Sequence, residues 1–155
     1  MTLYFVVKYL HVLGAIAILG TGSGIAFFML MAHRSGDAAF IARTAGVVVI
    51  ADMLFTLTAV ILQPITGAVL MQLASISIHE RWLAASLVLY LVAGLFWVPV
   101  VFMQIEIRDL ARAAAEKGVR LPQRYFELFR RWFLFGIPGF SSVMIIVWLM
   151  IAKPI

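Results

Sequence analysis

The sequence predicts an all-α protein, a single four-helix transmembrane bundle spanning residues 1–155. Three observations carry that expectation. Apolar residues make up 65% of the chain and charged residues 12%, about half the ~25% usual in a soluble domain. Mean hydropathy is +1.09, concentrated in apolar stretches at residues 3–31, 45–73, 82–105 and 132–151; each is at least near the ~20 residues a helix needs to cross a bilayer. Finally, GVVVIADMLF and SLVLYLVAGLF are continuously apolar, whereas a membrane barrel strand alternates with period two. Backbone groups in lipid need internal partners, so the remaining solution is helical. With no cysteine, disulfide frameworks and Cys-ligated zinc or iron–sulfur centres are excluded.

The first stretch is longer than the apolar core of a signal peptide and lacks a basic lead, so it is expected to stay as a span. Charge then orients the bundle. The first connection carries Arg34 and Arg43, and the third carries Arg108, Arg112, Lys117, Arg120, Arg124, Arg130 and Arg131, leaving only Lys8, Arg81 and Lys153 at the other end. Basic loops stay in the cytoplasm, so both termini are expected on the non-cytoplasmic side of a bacterial-type inner membrane. The net charge of +5 is then a topology signal, with anionic headgroups as a secondary partner and no role for nucleic acid.

The third connection has structure of its own. Residues 104–117 read as the third helix running on past the membrane, with Glu106, Asp109, Arg112 and Glu116 spaced for pairs along one helix. Gly118 is placed to end it, with Pro122 just beyond. Residues 122–131 set Tyr125, Phe126 and Phe129 among arginines, the composition of a short interfacial helix lying on the cytoplasmic face.

Polar side chains at membrane depth are costly, and each is a functional candidate. Counting from the span ends at ~1.5 Å per residue puts His11, Gln63, Thr66, Ser86, Tyr90, Ser141 and Ser142 at one level near the terminal end. Asp52, Thr56, Gln104 and Arg131 form a second layer nearer the basic loops. His11 is followed along its helix face by Gly14, Ala15, Ile18, Thr21 and Gly22. An imidazole beside a small-residue face suits a flat ligand, and haem is the obvious one, held by His11 as axial ligand with Gly14 giving close approach. The same residues also serve close helix packing, with the imidazole bonded across it. His33 reads as a solvated residue at the membrane edge. His79 in SIHERW reads as an exposed loop residue, with second ligation, or a metal site with His11 and Glu80, as the alternative.

Pro64, Pro99 and Pro138 fall inside spans, where each removes a hydrogen bond and bends its helix. Gln63 and Thr66 flank the break in QPITG, either to contact a ligand or to repair the kink. Trp82, Ser86, Tyr90, Trp97 and Gln104 form a stripe on the third helix. Asp52 is expected to pair with Arg130 or Arg131; a proton-relay or quinone contact is the alternative. The eight methionines show no Met-x-x-Met repeat and read as core filler.

VVKYLHVLGAIAILGTG followed by MAHRSG resembles the first helix of HemJ-type protoporphyrinogen oxidases. WLAASLVLYLVAG, RDLARAAAEKG and MIAKPI are similar to the same proteins in the same order. ADMLFT, QPITG, WVPVVFMQI and the final KP resemble more closely a family known only as integral membrane proteins, and the general pattern is similar to CopD-type membrane domains. The HemJ resemblance implies a four-helix protein carrying haem b, with its axial histidine at His11; Gln63, Thr66, Ser86 and Tyr90, polar at the same level, are the candidates to surround the cofactor. It also implies a lysine on the third helix, four residues after a tryptophan. Here that position, counted from Trp82, is Ser86, which supplies neither a cation nor a strong ligand. The expectation is therefore a haem-b electron-transfer protein, with a quinone or a respiratory membrane complex as partner. HemJ-type oxidase activity, or a non-catalytic subunit or assembly factor, is the alternative, and self-association stays open.

Overall fold

A computed structural model describes residues 2–154 as five α-helices and one π-turn. The helices are α1 (Thr2–Ser35), α2 (Ala38–Ala51), α3 (Leu57–Leu73), α4 (Arg81–Lys117) and α5 (Gln123–Ala152), with the π-turn Asp52–Thr56 joining α2 to α3 without a break. Four helical rods result, each long and apolar enough to span a membrane.

Local chemistry accounts for the ends. The Asp37 side chain accepts from the Ala39 amide at 2.8 Å, satisfying an orphan donor where α2 begins. Gly118, at φ +61°, ends α4: its amide donates to the Ala115 carbonyl and that of Val119 to the Ala114 carbonyl. This Schellman arrangement needs a left-handed residue, as expected at that glycine. The extension of α4 beyond the membrane is likewise present, through Lys117.

The short interfacial helix expected over 122–131 is not a separate element, because α5 runs unbroken from Gln123. The aromatic residues drive this. Tyr125, Leu128, Phe129 and Trp132 are buried and pack into a core built with Met29, Ile41, Val48 and Ile107. Burying that much aromatic surface outweighs laying it on a headgroup layer. His33 is drawn in with them: its ring stacks on Phe129 at 3.8 Å and hydrogen-bonds the Tyr125 hydroxyl at 3.0 Å. It is half-buried, not solvated.

This core closes the basic half of the bundle, where α4 packs extensively on α5 and α2. Toward the termini α1 packs on α3, but α3 and α4 hardly touch. Pro64, Pro99 and Pro138 all sit inside helices. At Pro64, the Tyr90 hydroxyl of α4 donates to the Val60 carbonyl, the acceptor that a proline four residues on leaves without its helical donor.

Candidate functional site

The polar residues of the terminal half divide. His11, Gln63 and Thr66 meet in the seam between α1 and α3. Thr66 Oγ1 lies 2.7 Å from His11 Nδ1 and 2.7 Å from the Leu62 carbonyl. The oxygen–oxygen contact requires the single hydroxyl proton between them, so Thr66 donates to Leu62 and accepts from His11. The proton of the neutral imidazole is therefore on Nδ1, and Nε2 keeps its lone pair. Gln63 Nε2 donates to the His11 carbonyl at 2.7 Å. Its amide lies 2.5 Å from where a Cβ on Gly14 would stand, and the edge of the His11 ring 3.5 Å from one on Gly67. Glycine at 14 is what lets the seam close, whereas a methyl group on Gly67 would meet the ring at ordinary contact distance.

Ser86 and Tyr90 do not join this cluster. The Ser86 hydroxyl donates to the Trp82 carbonyl of its own helix, and Tyr90 repairs the break at Pro64. Ser142 similarly donates to the Pro138 carbonyl. His79 and Glu80 stay exposed in their loop, and among the described residues no group of three or more His, Cys, Asp or Glu could hold a metal ion.

For haem on His11 the fit is divided. A lone pair at Nε2, with the other nitrogen anchored, is the chemistry of an axial ligand. The small-residue face expected to receive the macrocycle is covered nearest the histidine, where Gln63 lies over Gly14, while Ala15, Ile18 and Gly22 farther along it line a cavity. With the Gln63 amide over Gly14, a macrocycle has no room directly beside His11.

The space that does exist lies elsewhere. A cavity of about 540 Å³ runs between α1, α3, α4 and α5, floored by the π-turn, and His11 does not line it. Its wall is overwhelmingly apolar, and among the described residues Asp52 is the only charged one in it. Gly94 and Gly136 face it, and a Cβ on either would meet nothing within 4 Å.

At the floor, Asp52, Thr56, Gln104 and Trp132 all line the cavity, each at least 95% buried, with exposures of 3%, 5%, 2% and 4%. Trp97 Nε1 donates to Asp52 Oδ1 at 3.3 Å. No hydrogen bond of good geometry reaches Asp52 Oδ2, Thr56 Oγ1, Gln104 Oε1 or Trp132 Nε1, though the Thr56 hydroxyl stands near enough to the Asp52 carboxylate to interact with it. Native proteins rarely leave buried polar atoms unpaired, and an orphan asks for an occupant or a function. The expected ion pair is absent: Arg130 and Arg131 point outward, and among the described residues the ion pairs are Arg108–Asp109 and Arg124–Glu106. With two cations able to reach solvent, burying either beside Asp52 would add desolvation cost.

The π-turn is not foreseeable from the sequence. The Leu57 amide donates to the Asp52 carbonyl five residues back, a widened turn of the kind often found at functional sites. It holds both Asp52 and Thr56 in the interior. Trp132 is likewise missed as a site residue by sequence reasoning, since a tryptophan at a span end reads as an interfacial anchor.

No curated protein and no solved structure matches the chain. A family model described as "Predicted integral membrane protein (DUF2269)" matches residues 5–154. The four membrane-length helices agree with that description, and the chain belongs to the DUF2269 family of integral membrane proteins.

Proposed function

We propose that the protein binds a lipophilic small molecule within the bilayer, in the cavity between α1, α3, α4 and α5. One observation carries this reading: an apolar cavity of about 540 Å³ ending on four buried, unpaired polar atoms. A ligand with an apolar body and a polar head satisfies both features, as ligand sites generally do. Because α3 and α4 hardly touch, the route in is sideways from lipid. A quinone ring is one neutral candidate of this kind, and an electron-transfer role would follow from it. The basic-loop count supports an inner-membrane protein with both termini outside the cytoplasm; a cysteine introduced at Ser77 should react with an impermeant reagent from outside and one at Gln123 should not, and the reverse pattern overturns it.

The test of the cavity is a saturable pyrene probe in lipid nanodiscs. Gly136→Leu places a side chain in the open space beside that glycine and is expected to abolish saturable binding while leaving the fold intact. Binding that never saturates, or that ignores Gly136→Leu, overturns the reading.

A second reading rests on the His11 tautomer: with Nε2 unprotonated, the residue is chemically ready to ligate haem, provided that the Gln63 amide leaves Gly14. A Soret band in the purified protein that is lost in His11→Ala and kept in His33→Ala supports it. A colourless protein removes it and leaves a ligand-binding or non-catalytic subunit role.

A further inference from the structure

This inference rests on the cavity reading and names its occupant. We propose that the cavity receives an organic cation, a protonated amine on a lipophilic ring or chain, with Asp52 as its counter-ion.

The charge of the site points that way. Among the described residues lining the cavity only Asp52 carries a formal charge, and no lysine, arginine or histidine shares the wall with it. Carboxylate and phosphate heads meet one negative group and no positive one, so fatty acids, phospholipids and the propionates of a haem are disfavoured. A lone carboxylate at this depth is costly, and Arg130 and Arg131, the basic residues at matching depth, are exposed. The missing partner is a cation.

The hydrogen-bond count points the same way. Three of the four orphan atoms are oxygens able to accept: Asp52 Oδ2, Thr56 Oγ1 and Gln104 Oε1. A primary ammonium carries three N–H donors and no lone pair, like a lysine head. A quinone brings only acceptors: it can take the Trp132 indole N–H or the Thr56 hydroxyl proton, but it offers nothing to Asp52 Oδ2 or Gln104 Oε1. A quinol has two hydroxyls, but at opposite ends of its ring, so one at most reaches this floor. The aromatic wall adds to the match. Trp97 and Trp132 both line the cavity, and tryptophan faces are the strongest aromatic partners for a cation. Trp97 spends its own N–H on Asp52 Oδ1 and so orients the carboxylate, leaving Oδ2 for the ligand.

The experiment uses the full chain in nanodiscs of phosphatidylcholine, which carry no net charge to attract cations. The probes are 1-(aminomethyl)pyrene and its neutral N-acetyl derivative, titrated separately. The amine is expected to bind on the order of tenfold tighter or more, the scale for losing one partner of a buried charge pair. Asp52→Asn should remove that preference, so that the two probes bind alike, and Asp52→Glu should restore much of it. Gln104→Leu keeps the charge but removes one acceptor, so it should narrow the preference for the amine by less; it serves if Asp52→Asn does not fold. Equal affinity of the two probes for the wild-type chain overturns the cation, as does a preference that survives Asp52→Asn; the cavity reading then stands with a neutral occupant of the quinone kind. If neither probe saturates, the cavity reading itself falls and the cation with it.

Discussion

Two regions of this bundle are built from nearly the same polar side chains and behave oppositely. In the α1–α3 seam, His11 meets Thr66 and Gln63 meets the His11 carbonyl, each at 2.7 Å, and Gly14 lets the Gln63 amide close over it. On the cavity floor, Asp52, Thr56 and Gln104 are more deeply buried, yet each keeps an oxygen unpaired. The first is a polar clasp whose bonds are used to hold two helices together. The second keeps its hydrogen-bonding capacity open beside an empty volume. Polarity at membrane depth is therefore no guide to function until its partners are counted.

The comparison breaks most sharply at Gly14. Gly14→Leu drives its side chain into the Gln63 amide, which a Cβ alone approaches to 2.5 Å. The expected cost is roughly 1–3 kcal/mol, the usual range for overpacking, seen as a lower melting temperature by circular dichroism in detergent. Gly20→Leu, where nothing lies within 4 Å, is the control. Equal melting of the two variants would show that the seam is not closed as described.

A smaller effect measures the clasp itself. A double-mutant cycle on His11→Phe and Thr66→Val should return a coupling of about 0.6 to 2 kcal/mol, the scale of hydrogen bonds between membrane helices. A coupling of zero would break the case that the His11–Thr66 bond holds the seam and fixes the tautomer.

The smallest effect has the opposite sign. Thr56→Val replaces an unpaired hydroxyl by a methyl group of similar size on the cavity floor. Losing a buried orphan relieves a desolvation penalty, so the ligand-free protein should melt slightly higher, by up to ~1 kcal/mol in stability. A loss of stability would show that the hydroxyl has a partner and that the floor is as saturated as the seam. Sites kept for binding commonly sacrifice stability in this manner.

Much of this arrangement is legible in the sequence, and the failures have physical causes. His11, Gln63 and Thr66 are recognisable as a group because each is polar at the same helical depth. Asp52, Thr56 and Gln104 are recognisable as a second layer for the same reason. Ser86 and Tyr90 share the depth of His11 but point their oxygens at helix carbonyls, a choice that depends on helix rotation and on the break at Pro64. The ion pair of Asp52 with Arg130 or Arg131 fails because matching depth says nothing about which way a long side chain turns. The separate helix over 122–131 fails because its aromatic residues read equally well as a headgroup-facing surface until the core that receives them is seen.

By itself, the sequence determined the helical class, the membrane spans and the ending of α4 at Gly118. These depend on apolar run length and on bonds between residues close in the chain. Only the tertiary structure decided that His11 meets Thr66, 55 positions away, and that Asp52 meets Trp97, 45 positions away. It also decided that one polar layer is closed and the other opens on a cavity. The reason lies in rotation. Continuously apolar helices with few charges are indifferent to how they turn about their axes in lipid. Their facing is set by small residues, a π-turn and aromatic packing at a few contacts, and none of these is readable from hydropathy.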